Sequence, residues 1–398
     1  MTERPTIIDY VEKYTRQFAD HVYLREKVNG KWLEITQEQT RNEAYRIGAG
    51  LLSLGVKKGD KIALLSESRA MWILAEIGAL YAGAVDVPLS VNLGEGKDLV
   101  FRINHSDSKW IFVSGNHLPR IRAILDQCPA VEKVIVFDDT AFDFDKLEPR
   151  EIRMSEIQKM GDAFLKAHRE EFEARFKSIG PDDIANISYT SGTTADPKGI
   201  MLTHRNYTAN VAQGNSVISI GPDATMLIIL PLDHCFAHVA GMYTMMGYAG
   251  SIAFVPIGKN ALATLRNVPT AIAETRPHVM LSVPALARNF KKNIESGIKK
   301  KGPKVEKLFN FAVDNAIKYN EEAIRTLVNR IIDTQVNEGY FTECPITFLD
   351  IDTAKQVLID RLKSIYHTRI QYPGQEQPKE NEGKESKLKR RKKRRGRF

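Results

Sequence analysis

The chain has 398 residues, of which 43% are hydrophobic and 27% charged, and its formal net charge is +8. This length predicts two or three packed subdomains in an ordinary soluble globular protein. The three cysteines (Cys128, Cys235 and Cys344) lie far apart and form no Cys-x-x-Cys pair, which argues against a disulfide framework or a zinc site and indicates a reducing compartment. No basic region precedes an apolar stretch at the N-terminus, so we expect no signal peptide.

The net charge is concentrated at the end of the chain. Residues 375–398 contain 11 Lys and Arg and 4 Asp and Glu, which gives +7, so all other residues together carry +1. After Gly374 the sequence also loses apolar residues, which predicts a disordered tail. The body of the protein is therefore close to neutral.

The first 140 residues alternate between helical and strand patterns. The segment Thr36 to Gln39 has the form of a capping box, which predicts a helix that ends at Leu54 with Gly55 as its stop. A second helix is predicted over residues 70–81. We predict short buried strands over residues 61–65, 84–88, 110–113 and 134–137. This alternation predicts an α/β fold with mostly parallel sheets flanked by helices.

Residues 141–180 are charged and predict helices and loops. The elements predicted after them are strands over residues 184–188, 226–230, 251–255 and 278–283, and helices over 204–217, 260–274 and 284–336. Residues 235–258 contain no Asp, Glu, Lys or Arg and are long enough to cross a bilayer. Because three glycines and Pro256 interrupt this stretch, we predict a buried helix followed by a buried strand instead of a membrane span.

The segment from Tyr189 to Gly199 reads Tyr-Thr-Ser-Gly-Thr-Thr-Ala-Asp-Pro-Lys-Gly, and it is predicted to lie between a strand and a helix. Small residues let backbone N–H groups approach a polyanion, hydroxyl groups donate to phosphate oxygens or bind Mg²⁺, and a lysine adds a positive charge. The segment is not a Walker loop, because Gly-x-x-x-x-Gly-Lys-Ser/Thr does not occur in it. A polar surface turn has a similar composition, but the order of the residues favours a phosphate site. Its candidate ligands are Thr190, Ser191, Gly192, Thr193, Thr194, Lys198 and Gly199.

Residues Tyr189 to His204 resemble the signature of the adenylate-forming superfamily, which includes acyl-CoA synthetases, firefly-type luciferases and the adenylation domains of peptide synthetases. The resemblance implies ATP and Mg²⁺ as cofactors, with the loop holding the β- and γ-phosphates and Thr194 assisting the metal. A carboxylate would attack the α-phosphate, and coenzyme A would then take the acyl group from the adenylate. Ala195 stands where the family usually has glycine, which costs about 1–2 kcal/mol if that position needs a positive φ.

Other segments agree with this resemblance. Residues 55–72 and 79–88 resemble the first conserved blocks of the family, and Pro231 to His238 resembles the block that lines the acyl and thioester side of the active site. There His234 matches a histidine or aromatic residue beside the substrate, and we take it as the candidate catalytic residue, with a structural role as the alternative. His204 and His238 are interpreted as structural. Residues 283–290 and 307–312 resemble the helical insertion of long-chain fatty acid ligases.

The resemblance covers residues from about 10 to 340. A Tyr-Gly-x-Thr-Glu segment for Mg²⁺ and adenine, a Thr-Gly-Asp segment for the ribose and a C-terminal lobe with a catalytic lysine are absent from the sequence. We therefore predict an incomplete AMP-binding N-terminal domain over residues 1–340, an irregular or non-family segment over 341–374 and a disordered basic tail over 375–398. A truncated long-chain acyl-CoA synthetase is the preferred interpretation. A degenerate member that binds without catalysing is the alternative.

The basic run from Lys387 to Arg397 has the charge to bind nucleic acid or an anionic membrane surface. It contains no aromatic residue for base stacking, so any contact with nucleic acid would be unspecific. A solvated, disordered end is the preferred interpretation. The family resemblance implies a fatty acid as the small-molecule partner. We expect no nucleic-acid partner and a cytoplasmic location, with peripheral membrane contact left open.

Overall fold

The structure is a computed structural model. It describes residues 5–94, 96–137, 147–190, 196–217, 220–258, 261–315 and 318. The chain divides into two compact units, residues 1–282 and 283–398. The domain boundaries predicted at 340 and 374 lie outside the described residues and stay predictions.

The strands and helices of the described residues are numbered in chain order. The strands are β1 (Val22–Val28), β2 (Lys31–Thr36), β3 (Lys61–Leu65), β4 (Val85–Pro88), β5 (Ser108–Val113), β6 (Lys133–Val136), β7 (Glu151–Arg153), β8 (Ile184–Tyr189), β9 (Gly199–Thr203), β10 (Thr225–Ile228), β11 (Ser251–Phe254) and β12 (Val279–Met280). The helices are α1 (Ile7–Gln17), α2 (Gln37–Ser53), α3 (Ala70–Tyr81), α4 (Lys97–His105), α5 (Leu118–Arg122), α6 (Met154–Lys177), α7 (His204–Val217), α8 (Thr244–Gly247), α9 (Ala261–Thr275) and α10 (Pro284–Lys299).

The first unit is built on two sheets. One has five strands in the order β12-β10-β11-β1-β2, in which only β1 and β2 pair antiparallel. The other has seven strands in the order β7-β6-β5-β3-β4-β8-β9, in which only β8 and β9 pair antiparallel. Helices lie between most successive parallel strands, as is usual for parallel connections. The predicted α/β class with mostly parallel sheets is confirmed.

Helix α2 shows how local sequence sets an element. Its N-cap is Thr36, whose hydroxyl accepts a hydrogen bond from the Gln39 backbone N–H while the Gln39 side chain accepts one from the Thr36 N–H. This is the predicted capping box, and it satisfies two backbone donors that have no partner inside the helix. The helix stops before Gly55, whose φ of 91° lies in the left-handed region that glycine adopts without strain.

Several elements were not predicted, and most of them lie near the start of the chain or at a sheet edge. They are α1, β1, β2, α4, β7 and β9. The strand predicted over residues 278–283 is shorter than expected, because only Val279 and Met280 pair with β10, and Met280 is 43% exposed. At this edge of the sheet the apolar run is therefore only partly covered.

The uncharged stretch from residue 235 to 258 forms a helical segment followed by a strand, as predicted. A π-helical segment, Ala237–Tyr243, continues into α8, and β11 follows with all four residues buried. None of the helices in the described part of the chain is long and apolar enough to cross a bilayer. The stretch is apolar because it lies in the core of the first unit.

The second unit is helical where it is described. Helix α10 ends at Lys299, and a further helical segment covers residues 303–315. Gly302 separates the two with a φ of 98°. The predicted long helical pattern therefore contains one break in its described part.

Helices α2 and α6 are in direct backbone contact. An added Cβ at Gly161 would lie 1.8 Å from the Arg46 carbonyl oxygen, and one at Gly50 would lie 2.2 Å from the Ile157 carbonyl oxygen. No side-chain atom fits at such distances in a close-packed interior. The two helices approach this closely because both positions are glycine.

We expect Gly161→Ala to destabilise the protein by about 1–3 kcal/mol, because the new methyl group forces α6 away from α2. Urea unfolding measures the change. Gly214→Ala in α7 is the matched control, since an added Cβ there meets nothing within 4 Å, and alanine in an exposed helix is favourable by up to about 1 kcal/mol. Equal stabilities for the two variants would contradict the close contact.

His204, the first residue of α7, is buried, and its Nδ1 accepts a hydrogen bond of 3.3 Å from the Ile7 backbone N–H. Burial lowers the pKa of His204 to about 4, although Asp183 and Asp9 act in the opposite direction. An unfolded chain protonates a histidine near pH 6.5. The stability contributed by neutral His204 is therefore complete above about pH 6.5 and is lost as the pH falls toward 4.

Because His204 resists protonation in the folded protein, we expect the free energy of unfolding to fall by about 3 kcal/mol between pH 6.5 and 4 on its account. In His204→Asn the loss over that range should be smaller by this amount, as measured by urea unfolding at a series of pH values. His168→Asn is the control, because the His168 side chain is 58% exposed. If the free energies of unfolding of His204→Asn and His168→Asn depend on pH in the same way, His204 is not a buried neutral histidine.

Candidate functional site

The segment predicted to bind phosphate closes a β-hairpin. Strands β8 and β9 pair antiparallel, with Tyr189 opposite Gly199. The Thr190 N–H donates to the Lys198 carbonyl oxygen at 3.0 Å, and the Lys198 N–H donates to the Thr190 hydroxyl oxygen at 3.3 Å. The prediction of a loop between a strand and a helix was wrong in one respect, because β9 intervenes before α7 begins.

The predicted phosphate ligands fall into two groups. Thr190, Lys198 and Gly199 are described and lie at the base of the hairpin. The others lie outside the described residues, together with Ala195, so their predicted roles stay predictions, including that of Thr194 at the metal. The undescribed ligands are Ser191, Gly192, Thr193 and Thr194.

The base of the hairpin is fixed by Tyr189. Its hydroxyl donates to the Arg102 carbonyl oxygen at 3.3 Å and lies 2.8 Å from His105 Nδ1. The Tyr189 ring packs edge-on against Phe101. An added Cβ at Gly199 would lie 3.3 Å from the Tyr189 ring. Helix α4 and the Gly199 backbone therefore enclose the tyrosine, which orients the two ends of the loop.

His234 lies in a short turn after β10 and is exposed. Its Nδ1 accepts a hydrogen bond of 3.3 Å from the Phe236 N–H, and its carbonyl oxygen accepts one of 3.0 Å from the His238 N–H. A neutral imidazole that accepts at Nδ1 carries its proton on Nε2. The exposed ring is therefore set to donate a hydrogen bond from Nε2.

The same turn is attached to the seven-stranded sheet. The Leu232 N–H donates to the Ser68 hydroxyl oxygen at 2.9 Å, just beyond the carboxyl end of β3. The neighbouring Asp233 is half-buried, and burial raises the pKa of its carboxyl group. The block from Pro231 to His238 is thus held at the end of a parallel strand, which is the usual place for ligand sites in open α/β sheets.

A buried polar cluster beneath this block was not identified from the sequence. Glu76, fully buried in α3, accepts a hydrogen bond of 2.7 Å from His238 Nε2 and another from the Tyr243 hydroxyl. Nearby, Asn186 of β8 donates to Asp86 of β4 at 3.1 Å. Burial, together with the charge of Glu76, raises the pKa of the Asp86 carboxyl well above its usual range.

The cluster touches the elements that carry both candidate sites. Asn186 belongs to the strand that enters the hairpin, and its side-chain oxygen accepts a hydrogen bond of 2.7 Å from Ser188. Tyr207 of α7 packs edge-on against Tyr243 with ring centroids 4.8 Å apart. The signal that could have revealed the cluster is a carboxylate in an apolar setting, in Ala-Met-Trp-Ile-Leu-Ala-Glu-Ile and in Val-Asp-Val-Pro.

Among the described residues, no group of three or more His, Cys, Asp or Glu side chains is arranged to hold a metal ion. Cys128 and Cys235 are free thiols, the first buried and the second exposed.

Two relatives show where the chain lies within longer proteins. The peroxisomal long chain acyl-CoA synthetase 6 of Arabidopsis thaliana is 29% identical over 314 residues, which cover 77% of this chain and 43% of that protein. The long-chain-fatty-acid–CoA ligase FadD15 of Mycobacterium tuberculosis is 23% identical over 326 residues, which cover 81% of this chain and 50% of that protein. The chain spans half or less of the length of these relatives.

Solved structures share the fold. The N-terminal domain of FACL13 from Mycobacterium tuberculosis superposes with a TM-score of 0.59 at 24% identity, over 71% of this chain and 63% of that one. The anthranilate CoA ligase AuaEII in complex with anthranoyl-AMP gives a TM-score of 0.60 at 20% identity, over 72% of this chain and 51% of that one. These superpositions establish a common fold.

The sequence profile described as AMP-binding enzyme matches residues 11–364, which include both sheets, the hairpin and the His234 turn. The fold and this match agree with the resemblance carried by Tyr189 to His204. The chain belongs to the family of AMP-binding enzymes.

Proposed function

We propose that the chain carries the phosphate- and acid-binding part of an AMP-forming acyl-CoA ligase. Its reaction would join a long-chain fatty acid to AMP, release pyrophosphate and then transfer the acyl group to coenzyme A. The observation that supports this most strongly is the anchored hairpin from Tyr189 to Gly199, within a family match over residues 11–364. Relatives named as long-chain acyl-CoA synthetases support the fatty acid as substrate.

The hairpin geometry limits which groups at its base can bind a phosphate. The backbone N–H groups of Thr190 and Lys198 already donate within the hairpin. These two residues would therefore contribute side chains: the Thr190 hydroxyl, which has its own proton to donate, and the exposed Lys198 ammonium. A hydroxyl and an ammonium suit the oxygens of a polyphosphate, so the described residues fit ATP.

The phosphate oxygens and the Thr194 hydroxyl would hold Mg²⁺, which keeps several waters and takes few protein ligands in nucleotide sites. Bound there, it would neutralise charge on the phosphates as the carboxylate attacks. Lys198 would add a fixed positive charge from the protein. The protein would thus act mainly through positioning and electrostatics.

His234 would act on the acid side. Its Nε2–H can donate to the carboxylate of the fatty acid or to a developing charge on the acyl group, because Nδ1 is already engaged by the Phe236 N–H. The exposed position of the ring leaves it accessible to a ligand. A donor held in one tautomer orients the acid without taking part in a covalent bond.

A second candidate is a family member that binds these ligands without turnover. It is supported by the net charge of +7 that residues 375–398 carry. The basic tail would then contact an anionic membrane surface. Fatty-acid-dependent exchange of pyrophosphate into ATP separates the candidates.

We expect Lys198→Ala to weaken binding of Mg-ATP about tenfold or more, since a hydrogen bond to a charged group contributes about 1.5–3 kcal/mol. Isothermal titration calorimetry measures the affinity. Lys166→Ala, which removes another exposed lysine from α6, is the control and should bind as the wild type does. Equal affinities for the two variants would exclude Lys198 from the phosphate site.

We expect pyrophosphate exchange to require a long-chain fatty acid and to fall about tenfold or more in His234→Ala, because the donor to the carboxylate is removed. His168→Ala, at an exposed histidine of α6, should exchange as the wild type does. If the folded chain binds Mg-ATP and the fatty acid but exchanges nothing, the ligase proposal fails for this chain and the binding candidate replaces it.

A further inference from the structure

Glu76 is fully buried at the centre of α3, among Trp72, Ile73 and Ile77. A carboxylate in an apolar interior is strongly unfavourable unless it is paired and hydrogen-bonded. Its Oε1 accepts hydrogen bonds from His238 Nε2, at 2.7 Å, and from the Tyr243 hydroxyl. The carboxylate is therefore tied to two side chains of a single neighbouring segment.

These two side chains belong to the π-helical segment Ala237–Tyr243. In an α-helix, residues five positions apart point about 140° away from each other. The wider π turn brings His238 and Tyr243 onto one face, where their rings stack with centroids 4.7 Å apart and planes 26° apart. In this geometry both donors reach the same oxygen, so the two hydrogen bonds favour the rare π turn over a regular helix.

The π-helical segment continues directly from the His234 turn. The His238 N–H donates to the His234 carbonyl oxygen, and the Phe236 N–H donates to His234 Nδ1. The indole of Trp72 meets the His238 ring edge-on at 5.3 Å. The backbone therefore links His238, which Glu76 binds, to His234 and to the hydrogen bond at its Nδ1.

We propose that Glu76 is a positioning residue for His234: by holding His238 and Tyr243 it fixes the π-helical segment and thereby presents Nε2–H of His234 to the acid. The proposal rests on the acid-binding role of His234 proposed above. Glu76 touches no ligand and acts through its two partners. Glu76 would therefore position His234 in addition to occupying its place in the core.

The test reads the His234 ring directly, without a ligand. Two-bond ¹H–¹⁵N spectra of the full chain, labelled at histidine, identify the tautomer, and His234→Asn assigns its signals. In the wild type we expect His234 to show the Nε2–H tautomer alone. In Glu76→Leu its Nδ1 signal should shift to the averaged position of two exchanging tautomers, and Glu76→Gln, which restores an acceptor oxygen, should return it toward the wild-type position.

Two further variants sharpen the result. Asp86→Asn removes the other buried carboxylate of the cluster, which has no hydrogen bond to the π-helical segment, and should leave the His234 signals unchanged. Tyr243→Phe keeps the stacked ring but removes one donor, and it should shift them in the direction of Glu76→Leu. It decides the question if Glu76→Leu does not fold. Wild-type His234 signals in a folded Glu76→Leu or Tyr243→Phe would overturn the proposal, even where the melting temperature falls.

The outcome is independent of turnover. If the wild type shows no pyrophosphate exchange, the proposed ligase function fails, while the spectra still report whether Glu76 sets the His234 tautomer. If exchange is present and the spectra of Glu76→Leu and Tyr243→Phe match the wild type, only the positioning role fails.

Discussion

The pairing of Tyr189 with Gly199 is the constraint on which the candidate site depends. It joins the two ends of the loop at the edge of the seven-stranded sheet, while the ring and hydroxyl of Tyr189 are held by α4. Because the base is fixed on both sides, the loop between the strands starts and ends in a defined geometry. A site that binds phosphate through position and charge needs such preorganisation, since there is little covalent chemistry for the protein to perform.

A second constraint lies below the site, in the buried cluster around Glu76 and Asp86. Strand β8, which carries the hairpin, contributes Asn186 to this cluster, and the segment after His234 contributes His238 and Tyr243. Polar groups in a low-dielectric interior interact strongly when they are paired and destabilise strongly when they are not. Within the cluster, the Asp86–Asn186 pair supports the strand that carries the hairpin, and Glu76 with His238 and Tyr243 supports the segment after His234, although neither candidate site is buried itself.

The sequence predicts the regular part of this fold well. The buried strand β3 and helix α3 have the predicted bounds, because continuous apolar runs and capping residues mark such elements without reference to the rest of the chain. Strand β1 was overlooked because its charged, half-exposed residues show no clear period. Its turn at Asn29 and Gly30, both with positive φ, is a hairpin signal that could have revealed it.

The sequence likewise predicts only part of the candidate site. The order of residues from Tyr189 to Gly199 predicts a phosphate loop and indicates its family, but the hairpin depends on pairing between β8 and β9, whose short edge strand has no pattern of its own. The role inferred for Glu76 depends on a π turn and on donors 162 and 167 residues away in sequence. Contacts of this range follow from tertiary packing, which local pattern does not encode.

The proposed function requires that Mg-ATP binds at the Tyr189–Gly199 hairpin and the fatty acid at the turn that carries His234. Backbone hydrogen exchange of the full chain, measured with and without Mg-ATP and a long-chain fatty acid, detects binding at both places without turnover. We expect Mg-ATP to slow exchange in residues 189–199 and the fatty acid to add protection in residues 231–238. Protection confined to residues 283–398, with no change in either segment, would rule out binding at these places.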